Sequence, residues 1–256
     1  MDPMTIAGVI LGVAAVLGAA ILEGTHMSAL LAPSALLIIA GGTVGATSAC
    51  FTMPQLTTVL GQLGLLIKKP GVDIHAIIDT FAEMATVARR DGILALENRA
   101  LPIDSDFARR GLRMIVDGIN PELVKQMLMT DLYTAEEGLK TCSAVFKTAG
   151  GFAPTMGIIG TVVGLIHVLG NLSKPETLGP SIAMAFIATF YGVASANLIL
   201  LPIANKFGTI AKEESALRVM IIEGLLAIYA GDSPHVVRVK LQSFLTDKER
   251  AALKAA

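Results

Sequence analysis

Four long stretches without a charged residue constrain the fold of this chain more than any other feature. They cover residues 3–22, 24–67, 148–173 and 177–205, and none contains Asp, Glu, Lys or Arg. At about 1.5 Å per residue, each forms a helix long enough to cross a hydrocarbon core of about 30 Å. The chain is 53% hydrophobic with a mean hydropathy of +0.66, unlike ordinary soluble domains. It is predicted to be a membrane protein with four transmembrane helices.

The charge distribution predicts the orientation of these helices. All but one of the 20 Lys and Arg residues lie in residues 52–147 and 206–256. Because basic segments stay on the cytoplasmic side, both segments and both termini are placed in the cytoplasm. Two short loops, near 23–28 and 171–180, are placed outside. The first stretch lacks a basic n-region, so it is interpreted as a retained span and not as a signal peptide.

The expected fold class is all-α, because helical spacing prevails and strand signals are weak throughout. Residues 1–51 hold transmembrane helices 1 and 2, 52–147 a cytoplasmic helical domain, 148–205 transmembrane helices 3 and 4, and 206–256 cytoplasmic C-terminal helices. Asp73 is expected to begin a helix that Asp91-Gly92 interrupts. Asn120-Pro121 begins a helix that continues into the third span, and the fourth span continues past Pro202.

Several classes of function lack their sequence signals. There is no P-loop, no GxGxxG, and no catalytic triad or zinc cluster among the four His residues, so no enzyme, cofactor or metal site is expected. A net charge of −1 without a concentrated basic tract argues against nucleic acid. Cys50 and Cys142 are expected to be reduced thiols.

The hairpin of residues 148–205 carries polar and helix-bending residues in both of its spans. Thr161 and Thr189 are both placed about 21–24 Å from the inner membrane edge, and Pro154 and Pro202 near that edge. Each alone is explained by a threonine bonded within its own helix or by a tolerated kink. Together they predict a pair of helices that lines a path. Neither uncharged stretch, 148–173 or 177–205, contains an acid, so the pair of helices cannot easily bind and release a cation alone.

Other residues of the hairpin have simpler interpretations. Gly157, Gly160, Gly164 and Gly192 suit close helix packing. His167 is the residue within a span that could titrate. Its position toward the outer end of the third helix is better explained by a location at the membrane interface than by a role in a proton relay.

A charged cluster brackets the expected helix break in the soluble segment. Arg89 and Arg90 precede Asp91-Gly92, and Glu97 follows it. Such charges can dock a complementary partner, although spacing alone favours an ordinary solvated helix face.

Three runs of residues carry a family resemblance. Residues 154–165, PTMGIIGTVVGL, with Leu178-Gly-Pro180 and residues 188–197, ATFYGVASAN, resemble the MotA/TolQ/ExbB proton-channel family. The two additional N-terminal spans and residues 88–97, ARRDGILALE, are similar to the flagellar-motor members in particular. The resemblance covers nearly the whole chain.

The resemblance implies a stator subunit of the bacterial flagellar motor in the inner membrane. It implies a homopentamer around a pair of MotB-like single-span chains, which supply the ion-binding aspartate, and torque through contact with the rotor protein FliG. Pro154 and Pro202 would couple ion passage to movement, and Thr161 and Thr189 would line the ion path. Arg89, Arg90 and Glu97 would contact the rotor. The ion is expected to be a proton, with sodium left open.

Two alternatives remain at this stage. One is an ExbB/TolQ-type energising subunit for an outer-membrane transport system, which would have three spans. The other is a self-sufficient small-solute transporter, which would need a charged or strongly polar site near the membrane midplane.

Overall fold

The computed structural model describes residues 3–24, 30–67, 73–97, 106–173, 175–245, 247 and 250. Every regular element in this part of the chain is a helix, which confirms the expected all-α fold class. Contact patterns divide the chain into two compact units, residues 1–69 with 138–209 and residues 70–137 with 210–256. They are called here the membrane unit and the second unit, and α7 and α9, defined below, contribute residues to both.

The membrane unit is built from long apolar helices. Their bounds are α1 Pro3–Leu22, α2 Pro33–Cys50, α7 Pro121–Gly170, α8 Pro175–Ser195 and α9 Leu201–Tyr229, with a π-helical segment, Ala196–Leu200, between α8 and α9. Among the described residues, three stretches are long and apolar enough to cross a membrane: Pro33–Cys50, part of Pro121–Gly170, and part of Leu178–Tyr229. Helix α1 has 20 residues, and none of them is charged.

The links between these helices differ from the expected outer loops. The loop expected near 171–180 is shorter, because α8 already begins at Pro175, a residue suited to the first turn of a helix. Residues 25–28 of the other expected loop lie outside the described residues. After α2, the helices α3 Met53–Gln62 and α4 Gly64–Ile67 form the amphipathic continuation of the second uncharged stretch.

The second unit contains α5 Ile74–Asp91, a 3₁₀ turn Ile93–Leu96, α6 Asp106–Val116, α10 Pro234–Gln242 and the ends of α7 and α9. Asp73 caps α5 as expected, because its carboxylate accepts hydrogen bonds from the backbone N–H groups of His75 and Ala76. The Asn120 side chain likewise accepts from the N–H of Glu122 at the start of α7.

Fully buried large side chains form the core of the second unit. Phe81, Leu128 and Leu225 have no exposed surface, and they pack together with residues of α6 and α10. A Cβ added at Gly111 would lie 2.5 Å from Leu225 and 3.0 Å from Leu128, so the helices of this unit approach closely. The unit therefore has its own apolar core, independent of any lipid.

Small residues set the packing in the membrane unit. A Cβ at Gly164 would lie 2.7 Å from Ala185, and one at Gly160 would lie 2.7 Å from Ala188. Lipid tails are as apolar as leucine, so membrane helices associate through such close packing and through interhelical hydrogen bonds. Helix α2 packs on α8 through a small cluster that includes Ile39 and Ile187. These contacts place α7 and α8 side by side, and the candidate site lies between them.

Candidate ion-path site

Glycine residues bring the backbones of α7 and α8 together at the site. A Cβ on Gly157 would lie 2.9 Å from the carbonyl oxygen of Ala188, and one on Gly192 only 2.5 Å from that of Ala153. Both contacts are to backbone atoms, which cannot move aside as a flexible side chain can. These two glycines therefore allow close helix packing, as expected from the sequence. The two helices lie close enough for short polar side chains to meet.

Thr161 and Thr189 meet at this approach. Their Oγ1 atoms are 2.5 Å apart, so one hydroxyl donates to the other across the two helices. Thr161 Oγ1 also lies 3.1 Å from the carbonyl oxygen of Gly157 and 3.0 Å from that of Ala185. With its one O–H proton Thr161 can donate to only one of these carbonyls at a time. The Gly157 carbonyl belongs to its own helix, whereas Ala185 and Thr189 lie on the neighbouring helix. The level predicted for the two threonines from the sequence agrees with this contact.

The hydroxyl pair creates a cluster of oxygen atoms inside the membrane unit. Thr189 Oγ1 is 3.4 Å from the Gly157 carbonyl oxygen, so two hydroxyls and two carbonyls lie together. Each threonine carries one O–H proton and two acceptor lone pairs, so the direction of donation can reverse while the atoms stay in place. Oxygen atoms of this kind suit a hydrated proton or a hard cation. No carboxylate lies in residues 148–173 or 177–205 to hold the charge.

The two prolines do not share one level. Gly150 packs against Leu201, the neighbour of Pro202, whereas Gly192 packs against Ala153, the neighbour of Pro154. The prolines are therefore separated along the helices by roughly one to two turns. Pro154 lies inside α7, where its missing N–H leaves the carbonyl of Gly150 without its helical donor.

A π-helical segment precedes Pro202, and the sequence did not predict it. The N–H of Leu201 bonds to the carbonyl of Ala196, five residues back, so the helix is wider over Ala196–Leu200. Such segments occur often at functional sites. Pro202 is the sequence feature related to this segment, because it has no backbone N–H to donate to a carbonyl of the preceding turn.

Exposed apolar side chains flank the hydroxyl cluster. Ile158 and Val162 on α7 are 57% and 51% exposed, and Phe186 and Val193 on α8 are 61% and 44% exposed. These residues leave an apolar surface beside two half-buried hydroxyls. His167 lies farther along α7, exposed, and its carbonyl accepts a hydrogen bond from the Asn171 amide.

The charged cluster of the second unit surrounds a sharp turn. Gly92 has a φ of 87°, a conformation that other residues rarely adopt, and it ends α5 after Arg89 and Arg90. Arg90 donates two hydrogen bonds to Asp91, at 2.8 and 2.9 Å, and this carboxylate raises the pKa of Arg90. Arg89 and Glu97 are exposed and form no ion pair within the described part of the chain.

Family models match both halves of the chain. Residues 6–92 match the motility protein A N-terminal model, and residues 100–220 match the MotA/TolQ/ExbB proton channel family. The chain is 35% identical to motility protein A of Bacillus subtilis over 98% of this chain and 93% of that protein. It is 33% identical to chemotaxis protein PomA of Vibrio alginolyticus over 98% of both proteins.

Solved structures have the same fold over nearly their whole length. A chain of C. jejuni MotAB matches with a TM-score of 0.91 and 30% identity, covering 96% of this chain and 97% of that chain. A chain of the flagellar MotAB stator complex from Bacillus subtilis matches with a TM-score of 0.91 and 34% identity, covering 97% and 98%. The chain therefore belongs to the MotA/TolQ/ExbB proton channel family and, within it, to the motility protein A group.

Proposed function

We propose that this chain is a flagellar motor stator subunit that conducts protons across the inner membrane together with a MotB-like single-span partner, and that it converts the ion flow into torque. The match of residues 6–92 to the motility protein A N-terminal model favours this function over that of an ExbB/TolQ-type energising subunit. The solved relatives are MotAB complexes, which supports a partner of the MotB type. A homopentamer around a pair of partner chains is proposed as the assembly.

The single observation that carries the proposal is the hydroxyl pair of Thr161 and Thr189, which lies within two stretches, residues 148–173 and 177–205, that contain no carboxylate. Hydroxyl and carbonyl oxygens can relay a proton or help to coordinate a cation, but neither binds a proton stably near neutral pH. A translocated charge inside a membrane needs a group that holds it, and the group expected for this is an ionisable side chain. The exposed apolar surface beside the hydroxyls leaves room for a helix that carries such an acid.

The two prolines and the π segment support a role in conformational coupling. Pro154 removes a hydrogen bond from α7, and Pro202 follows a stretch where the helix is already wider. Helices bend at both kinds of feature. Protonation of a partner carboxylate between α7 and α8 would change the charge beside these two helices. We propose that the helices then bend at the two prolines and at the π segment.

The charged cluster around Gly92 is proposed as the rotor contact. Arg89 and Glu97 are exposed on either side of the turn, and Arg90 is held by Asp91. Exposed opposite charges steer a partner and set its register more than they add affinity. The rotor protein FliG is the partner proposed for this surface.

Cysteine labelling tests the proposed orientation, with the two basic segments and both termini in the cytoplasm. Cys50 is exposed at the end of α2, whereas Cys142 is buried. A membrane-impermeant maleimide is expected to label Cys50 in inverted membrane vesicles and to leave it unlabelled in intact cells. The Cys50→Ser variant controls for reaction at Cys142. Labelling of Cys50 in intact cells would reverse the proposed topology.

The function is tested by purifying the chain from its native membrane together with whatever it binds. The expected companion is a single-span protein with one aspartate in its span and a peptidoglycan-binding domain. Thr161→Val and Thr189→Val should each abolish swimming without preventing this association. Thr155→Val is the matched control, because the Thr155 hydroxyl bonds only to the carbonyl of Phe152 in its own helix. Normal swimming in both test variants would overturn the proposed ion path.

A further inference from the structure

A cavity of about 430 Å³ lies between α1, α2 and the end of α8, within the membrane unit. Cavities of roughly 300–1,000 Å³ commonly hold small molecules. Most of its walls come from α1, α2, the end of α8 and the π segment. Helix α1 contributes Val13, Val16 and Leu17, helix α2 contributes Leu36, Ile39 and Ala40, and the π segment contributes Leu198, Ile199 and Leu200. The cavity is distinct from the hydroxyl pair, because neither Thr161 nor Thr189 lines it.

Two of the three polar side chains at the cavity already donate hydrogen bonds within the protein. The Tyr191 hydroxyl donates to the carbonyl of Leu30, and the Ser195 hydroxyl donates to the carbonyl of Gly192 at 3.1 Å. Thr43 is 6% exposed, and its buried hydroxyl oxygen has no hydrogen-bond partner in the described structure. The remaining lining residues are aliphatic or aromatic. An apolar cavity of this kind stays dry and takes up apolar molecules.

The depth of the cavity indicates which apolar molecules surround it. Val13 and Val16 lie about 15–20 Å along α1 from Pro3, near the middle of a helix of about 30 Å. At mid-membrane depth there is neither water nor a lipid headgroup, and the ends of lipid acyl chains are the surrounding solvent. If the cavity were empty, its lining would lose dispersion contacts on one side.

We propose that this cavity is a binding site for the methyl-terminal part of a phospholipid acyl chain. A bound chain would contact α1 on one side and Ile199 and Leu200 on the other, and would thereby link α1 to the π segment. In the described structure α1 meets this segment directly at Gly12, where a Cβ would lie 3.0 Å from Leu198. The acyl chain would extend that contact toward Pro202. The proposal rests on the membrane fold alone and does not depend on the proposed function.

The absence of tryptophan from the sequence allows a direct test. Phe190 lines the cavity, and Phe190→Trp places a single indole of this chain there. The full chain, purified in detergent with its bound partner, is titrated with phosphatidylcholine that carries bromine in the methyl-terminal half of its acyl chains. Saturable quenching of the fluorescence is expected. The complex with Phe190 unchanged supplies the background from any tryptophan of the partner.

Filling the cavity from its wall should prevent binding. Ala40→Leu adds carbon atoms inside the cavity and is expected to weaken the saturable quenching by about tenfold or more. Ala15→Leu is the matched control, because Ala15 is exposed on α1 and does not line the cavity. If Ala40→Leu does not yield an intact complex, Leu36→Phe fills the cavity from another position.

Three results would overturn the proposal. The first is quenching that does not saturate, or no quenching, as expected if another copy of the chain covers the cavity. The second is equal quenching in the filled variants and in Ala15→Leu. The third is equal quenching by phosphatidylcholine brominated close to its headgroup, which would place the cavity at the wrong depth.

Discussion

Replacing Gly192 by alanine tests whether close contact between α7 and α8 holds the ion-path hydroxyls together. The added Cβ would lie 2.5 Å from the carbonyl oxygen of Ala153 and 3.1 Å from the Cα of Gly157. Ordinary contact begins at 3.4 Å, so the helices must separate by about 0.9 Å. A shift of that size along the line of the Thr161–Thr189 bond takes the oxygens from 2.5 Å beyond the roughly 3.0 Å limit of such a bond.

The expected cost of the substitution is that of overpacking, about 1–3 kcal/mol. The complex is purified in detergent, heated and run on gel filtration, and the variant complex should be lost at a lower temperature than the parent. Cells that carry the variant should also lose swimming. The amount of protein in the membrane fraction, measured by immunoblot, must stay near that of the unchanged chain for the comparison to hold.

Gly45→Ala is the matched control for this experiment. Gly45 lies in membrane helix α2, and a Cβ there would have no neighbour within 4 Å. Alanine also favours a helix by about 1 kcal/mol over glycine, so this variant should be at least as stable as the parent and should swim normally. Equal swimming by Gly192→Ala and Gly45→Ala would refute the argument that this close approach positions the site.

Three further predictions concern the coupling residues, the charged cluster and the second unit. Pro154→Ala restores a backbone N–H donor to α7 and should reduce swimming with little change in the amount of the protein in the membrane. Unchanged swimming would refute the proposed role of Pro154 in conformational coupling. The charge reversals Arg89→Glu and Glu97→Lys should each reduce swimming without loss of membrane insertion or assembly, and loss of assembly would contradict a rotor contact. In Gly224→Ala the new Cβ would lie 2.6 Å from the fully buried ring of Phe81. Thermal unfolding should therefore show that the free energy of unfolding falls by about 1–3 kcal/mol. A change below measurement error would show that the core adapts to the added methyl group.

The sequence predicted much of the fold because its signals were local and strong. Uncharged stretches identified the membrane helices, and Asp73 and Asn120 marked helix starts that the structure confirms by their hydrogen bonds. The similar level of Thr161 and Thr189 followed from the constant rise of a helix, counted from charged or polar residues at the membrane edge, and the structure adds the contact between them.

Other parts of the candidate site depend on packing that a sequence does not encode locally. The carbonyls of Gly157 and Ala185 complete the oxygen cluster, but every residue has a carbonyl and only the helix contact selects these two. The π segment Ala196–Leu200 has an ordinary apolar sequence, so its wider turn was not expected.

The central claim is that this chain supplies the hydroxyls of the ion path and that the acid comes from another chain. Proton uptake into proteoliposomes, driven by a membrane potential and followed with a trapped pH-sensitive dye, tests it most directly. The chain should be compared alone, with its single-span partner, and with a partner whose membrane aspartate is changed to asparagine. The account predicts uptake only with the unchanged partner. Uptake by the chain alone, at a rate comparable to that of the complex, would contradict it.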